Sequence, residues 1–226
     1  MPSARSKVEI GEWGARYYDL FLNLLSLGRY SNFIKGVVDK MGIDDNQLIL
    51  DLGSGTGRND CLMVKKMSPQ GKIVGLDISD EMIKRARKRC RKYPDVTFEK
   101  QRIELPLTYK EDFSKVFISF ALHGFEDDQK VGIICNAYQA LKPGGTFYIL
   151  DYAEFDIDRV WFPLRWAFTR LECQLAVEFL KLDIKSLLFA QGFTDSKEEF
   201  FLKRHLRLLS AVKPLDNSVN RDQNYE

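Results

Sequence analysis

The sequence predicts a doubly wound α/β fold, a mostly parallel sheet of seven strands with helices on both faces. Three features predict it. Short apolar runs alternate with amphipathic stretches from about Asn46 to Tyr152. The first of these runs ends directly at a cluster of glycines. Two further runs close the chain beyond a long aromatic region. Strands that alternate with helices form a parallel sheet covered on both sides, and right-handed crossovers make such a sheet doubly wound.

The elements follow in order. Residues 1–42 are aromatic and read as helical. Gln47 to Leu52 is an apolar run of the kind a buried parallel strand shows. Lys72–Asp77, Asp95–Glu99, Lys115–Ser119 and Thr146–Leu150 are the next four strands, the last entered by a turn at Lys142-Pro143-Gly144-Gly145. Met82, Ile83, Ala86 and Cys90 share one helix face, with Ser79 or Asp80 as N-cap. Val131, Ile134, Cys135, Tyr138 and Leu141 repeat at helical spacing and mark a second buried stripe. Glu199–Leu202 and Leu206–Val212 read as a closing pair of strands.

The chain has 226 residues, 45% hydrophobic and 29% charged, with a formal charge of +2. That suits one domain spanning 1–226, with a polar tail over 216–226 that has little to bury. So small a net charge gives no argument for nucleic acid as a partner. Neither a span of about 20 apolar residues nor an apolar leader is visible, so a cytoplasmic protein is expected. The four cysteines, Cys61, Cys90, Cys135 and Cys173, are scattered and read as reduced core thiols. The histidines, His123 and His205, lie far apart, and no metal site is expected.

The chemistry is concentrated in Asp51-Leu52-Gly53-Ser54-Gly55-Thr56-Gly57. In open α/β sheets ligands bind beyond the carboxyl ends of the strands, where the strand order switches. A dinucleotide fingerprint needs glycine or alanine at the position that Arg58 occupies. A Walker loop needs a Gly-Lys-Ser/Thr ending, which is absent. Asp77, at the end of the next strand, can accept both hydroxyls of a ribose. A ribose acid without a pyrophosphate loop points to a nucleoside lacking phosphates, and S-adenosylmethionine is such a ligand.

Over about Asn46 to Tyr152 the chain resembles the class I S-adenosylmethionine-dependent methyltransferases. The likeness rests on Leu50-Asp51-Leu52-Gly53-Ser54-Gly55-Thr56-Gly57, Val74-Gly75-Leu76-Asp77-Ile78-Ser79 and Leu141-Lys142-Pro143-Gly144-Gly145. It implies a Rossmann-like sheet whose final strand is antiparallel. It implies that Gly53, Ser54 and Gly55, with Asp51, face the methionine portion of the cofactor, that Asp77 holds the ribose, and that Ile78 packs on adenine. Gln101 and Arg102 stand where the family usually has an acid and a small residue, and a glutamine carbonyl can accept from the adenine amino group. Tyr18-Asp19-Leu20 and Leu24-Leu25-Ser26-Leu27-Gly28 are similar to the N-terminal segment of the ubiquinone/menaquinone-biosynthesis group. Phe120-Ala121-Leu122-His123-Gly124 falls where that group carries an aromatic-Gly-Leu-Arg-Asn segment, but the Arg-Asn pair is missing. The implied layout is a helical lid over 1–42, a cofactor-binding core over 46–152, and substrate-shaping helices with the last two strands over 153–215.

In such an enzyme the sulfonium activates the methyl group, and the protein aligns the acceptor with it. His123 follows the fourth strand and is the candidate base; a loop histidine bonded to backbone is the alternative. Tyr18 and Phe120 are placed beside the cofactor, and Tyr17 or Tyr30 could close over it or serve as core. The basic run Lys84 to Lys92 reads as a solvated helix face, with anionic lipid headgroups as the alternative. Val160 to Phe168 is strongly aromatic and could line an apolar pocket, touch a membrane surface or pack as core. The expected acceptor is small and apolar, a quinone precursor or a lipid. A soluble metabolite amine, or a non-catalytic protein that keeps the cofactor, stays open. So do peripheral membrane contact and the oligomeric state.

Overall fold

A computed structural model describes residues 30–44, 46–68, 70–154, 174–202 and 204–215. Its helices are α1 (Tyr30–Lys40), α2 (Asp60–Met63), α3 (Asp80–Arg89), α4 (Asp127–Ala140), α5 (Gln174–Phe179) and α6 (Ile184–Ala190). Its strands are β1 (Leu48–Leu52), β2 (Lys72–Asp77), β3 (Val96–Lys100), β4 (Phe113–Ser119), β5 (Leu141–Tyr152), β6 (Thr194–Phe201) and β7 (Leu206–Val212). The seven strands form one sheet in the order β3-β2-β1-β4-β5-β7-β6. β1 to β5 pair in parallel, while β7 runs antiparallel to both β5 and β6. The strand order reverses between β1 and β4, which puts the crevice of a doubly wound fold at their carboxyl ends.

Alternation along the strands sends side chains to two separate cores. Ile49, Ile73, Phe98, Phe117 and Leu208 pack with α1, α2 and α3 through Ile34, Val37, Met63 and Ile83. Leu50, Val116, Ile118, Phe147 and Ile149 pack with α4, α5 and α6 through Ile133, Ala137, Phe179 and Leu188. Each such side chain contributes about 1.5–3 kcal/mol by leaving water. Ser79 caps α3 by accepting from the Met82 N–H, as its position in the sequence predicts. α4 begins at a reciprocal cap between Glu126 and Gln129.

Three expectations are corrected. Cys61 and Cys90 are joined by a disulfide, not held as reduced thiols. The glycine segment folds back on α3 so closely that a Cβ on Gly57 would lie 2.9 Å from Ala86 and Phe98, and this brings α2 against the end of α3. Cys135 is a free thiol, and Cys173 lies outside the described residues. The buried stripe of α4 is Lys130, Ile133, Ile134, Asn136, Ala137 and Ala140, rotated from the expected face so that small alanines meet the sheet. Val131, Cys135 and Tyr138 are only half-buried. The Asn136 amide makes burial at this stripe tolerable by donating to the carbonyls of Ile103 and Leu105 and accepting from the Leu107 N–H. Last, the expected turn at Lys142-Pro143-Gly144-Gly145 belongs to β5, which slips register there against β4.

Candidate functional site

The glycine segment leaves β1 and is fastened at once to β2. Gly53 and Ser54 N–H both donate to the Leu76 carbonyl at 2.8 Å. Gly53 has φ +77°, a conformation that favours glycine. A Cβ there would lie 3.3 Å from that of Ala121, so the segment also touches the residues that follow β4. Asn59 adds a second tie by donating to the Ser119 hydroxyl at 2.8 Å. From behind, Arg89 donates to the Thr56 carbonyl at 2.9 Å.

Asp77 ends β2 with its carboxylate already engaged. One oxygen accepts from Gly55 N–H at 2.9 Å and the other from Ser79 N–H at 2.8 Å. Burial raises its carboxyl above the usual carboxylate range, against the pull of those two donors. A carboxylate has about four lone-pair sites, so Asp77 keeps capacity to accept from a hydroxyl. Beside it Ile78, Lys100, Gln101, Arg102, Leu105 and Pro106 line a cavity of about 400 Å³, within the range of small-molecule sites. The structure thus brings Ile78, Gln101 and Arg102 together, as expected. Arg102 pairs with Glu104 at 2.5 Å on its rim.

Asp51 is fully buried, and it faces a residue that the sequence did not suggest. Asp60, also fully buried, opens α2 beside it. Among the described residues neither carboxyl has a hydrogen-bond partner outside the pair, and Ser54 Oγ and Asn59 Oδ1 are buried acceptors in the same stretch. Burial pushes the Asp51 carboxyl well above the carboxylate range, and the charges of Asp60 and Asp77 push it further. Burial carries Asp60 up to about 7. Each of two adjacent buried carboxyls makes it costlier for the other to ionise. Buried acceptors that lack donors suit a cationic ligand group.

The other end of the crevice is aromatic. Phe120 follows β4 at φ +49°, an uncommon conformation for a bulky side chain. His123 sits in a 3₁₀ turn, Leu122–Gly124, and is nearly buried. Its Nδ1 lies 2.7 Å from Asp151 Oδ1, and its backbone N–H donates to Asp151 Oδ2 at 3.2 Å. The Tyr152 ring is 5.0 Å and the Phe179 ring 6.3 Å from the imidazole. Phe120 stands 6.3 Å from Tyr152.

Tyr17, Tyr18 and the Val160–Phe168 segment lie outside the described residues, as does the side chain of Tyr30. In the basic run, Arg85 pairs with Glu81 and Arg87 donates to the Phe98 carbonyl, so part of that charge is spent within the fold. Asp60, Asp151, Tyr152 and Phe179 were not singled out in the sequence. Strand-end acids and core aromatics are too common there to mark a site.

Comparison with known proteins identifies the family. Residues 43–195 match the model of the methyltransferase domain family. The chain is 29% identical over 160 residues to the demethylmenaquinone methyltransferase of Lactiplantibacillus plantarum, covering 68% of this chain and 65% of that protein. It is 29% identical over 148 residues to the ubiquinone/menaquinone biosynthesis C-methyltransferase UbiE of Proteus mirabilis, covering 64% and 58%. The chain therefore spans less than two thirds of the length of these relatives. Phosphoethanolamine N-methyltransferase 2 of Haemonchus contortus, solved with S-adenosyl-L-methionine, shares the fold at a TM-score of 0.66 and 18% identity, over 81% of this chain and 52% of its own. The chain belongs to the methyltransferase domain family, as a class I member of the S-adenosylmethionine-dependent type. Its cofactor is S-adenosylmethionine.

Proposed function

We propose that this protein transfers the methyl group of S-adenosylmethionine to a small apolar acceptor, a quinone precursor or a lipid, with His123 as the base. One observation carries the reading. The glycine segment touches Ala121, and two residues on stands an imidazole walled by Tyr152 and Phe179. A cofactor whose methionine end lies on Gly53, Ser54 and Gly55 would have its reactive end beside that aromatic wall. The names of the relatives, given to quinone-methylating proteins, point the same way.

The residues then divide the work. Ile78, Gln101 and Arg102 hold the adenine end, and Asp77 the ribose. Asp51, with Asp60, faces the cationic amino-acid end. Phe120 borders the enclosure. The bound cofactor supplies an activated methyl group on its sulfonium. Phe120, Tyr152 and Phe179 exclude water and orient a flat or aliphatic acceptor by contact. His123 Nε2 takes the proton that the acceptor loses as its new bond to carbon forms. Among the described residues no helix is long and apolar enough to cross a membrane.

The test is release of S-adenosylhomocysteine across a panel of hydroquinones, lipids and amines. Turnover confined to hydroquinones or lipids is expected. Turnover confined to amines overturns the acceptor, and binding of cofactor with no product anywhere overturns catalysis.

A further inference from the structure

We propose that Asp151 is the positioning residue of the acceptor side, holding His123 as the Nδ1–H tautomer so that Nε2 carries the lone pair. The proposal rests on reading His123 as the base. Asp151 lies near the end of β5, which neighbours β4 in parallel register at Ser119 and Leu150. That pairing sets residue 151 beneath the segment that leaves β4. The carboxylate is 1% exposed and takes hold of one residue twice. Oδ1 meets the ring at Nδ1, at 2.7 Å, while Oδ2 accepts from the backbone N–H of the same histidine, at 3.2 Å. Oδ1 also accepts from the Tyr152 N–H at 2.8 Å. Gripping ring and backbone together fixes both side-chain torsions of His123, and the rings of Tyr152 and Phe179 fix its plane.

An ionised carboxylate only accepts, so the ring nitrogen facing it must donate. In a neutral imidazole the other nitrogen is then the acceptor. Arg207, opposite Asp151 in register on β7, is committed to Glu198 at 2.9 Å and Glu154 at 3.1 Å. When the acceptor's proton moves to Nε2, the imidazolium that forms is balanced by the carboxylate already in contact with it. The methyl–sulfur bond breaks as the methyl–acceptor bond forms, and the sulfonium leaves as a neutral thioether, so charge and atoms balance.

The chain has two histidines, which makes the tautomer directly readable. Long-range ¹⁵N–¹H correlation spectra of histidine-labelled protein at pH 8, with His205→Gln to assign the signals, should show His123 as the Nδ1–H form. Asp151→Ala should abolish that preference, and Asp151→Asn should shift it, because an amide replaces one accepting oxygen by an NH2 that only donates. With an acceptor found by the panel above, Asp151→Asn should lower kcat about 100-fold, with the dissociation constant for S-adenosylmethionine held within twofold and recovery in part by Asp151→Glu. An Nε2–H signal in the wild type, or a tautomer indifferent to both substitutions, overturns the proposal. Full turnover in His123→Ala, with the tautomer as expected, instead overturns the base reading and leaves the tautomer assignment standing.

Discussion

Asp51 and Asp151 sit near the carboxyl ends of β1 and β5, on opposite faces of one sheet, and their surroundings differ in kind. Asp51 shares its face with Ile49 and is aimed at a second acid, Asp60. Asp151 shares its face with Ile149 and meets two backbone N–H donors and the Nδ1 of His123. Both are buried to the same degree. The two differ in what meets the carboxylate: at Asp51 a neighbouring acid adds to the cost of the buried charge, while backbone N–H groups engage both oxygens of Asp151. On the proposals above, the first site receives a positive ligand group and the second holds a neutral ring in one state.

The largest expected effect separates the two ends by what each variant changes. His123→Ala should lower kcat by about 100-fold or more while cofactor affinity stays within twofold, read by steady-state kinetics beside calorimetry. An equal loss in both would mean that the aromatic end also holds the cofactor. Next comes Asp77→Ala, which should weaken S-adenosylmethionine binding at least about tenfold, or roughly 1.4 kcal/mol. It removes a ribose acceptor and also frees the Gly55 N–H. Unchanged affinity would sink the ribose assignment.

The smallest effect is one of pH. The folded-state carboxyl of Asp60 is raised to about 7, above its value in an unfolded chain. The folded protein then binds more protons than the unfolded one between about pH 4 and 7, and stability falls as pH rises through that window. In Asp60→Asn the amide can donate to Asp51 at any pH. Melting curves should show a Tm about 4 °C above wild type at pH 8, roughly 1 kcal/mol or slightly more, and little difference at pH 4. A variant less stable at pH 8 would mean that Asp60 is ionised and held by donors.

The strands were the most legible part of the molecule. β2 and β7 coincide with their sequence readings residue for residue, because buried strands are written as continuous apolar runs. β6 was caught only at its end. It is an edge strand, and Thr194 to Lys197 is exposed and polar along its length, as an edge that avoids pairing with other chains should be. The glycine segment and Asp77 stood out because glycines and a strand-end acid combine at fixed places. The disulfide was not, since a separation of 29 residues says nothing until Gly57 is seen folded onto α3. Asp60 escaped because α2 is a single turn with no periodicity to read. Asp151 escaped because its partner lies 28 positions away, joined only by the pairing of β4 with β5.

Asn136 has a consequence beyond its hydrogen bonds. Its amide suspends Ile103, Leu105 and Leu107 from α4, and Leu105 is part of the cavity wall. α4 passes without a connecting loop into β5, and β5 carries Asp151. The cavity wall and Asp151 are thus mounted on a single uninterrupted beam of chain, so reshaping the first would also mean re-aligning the second.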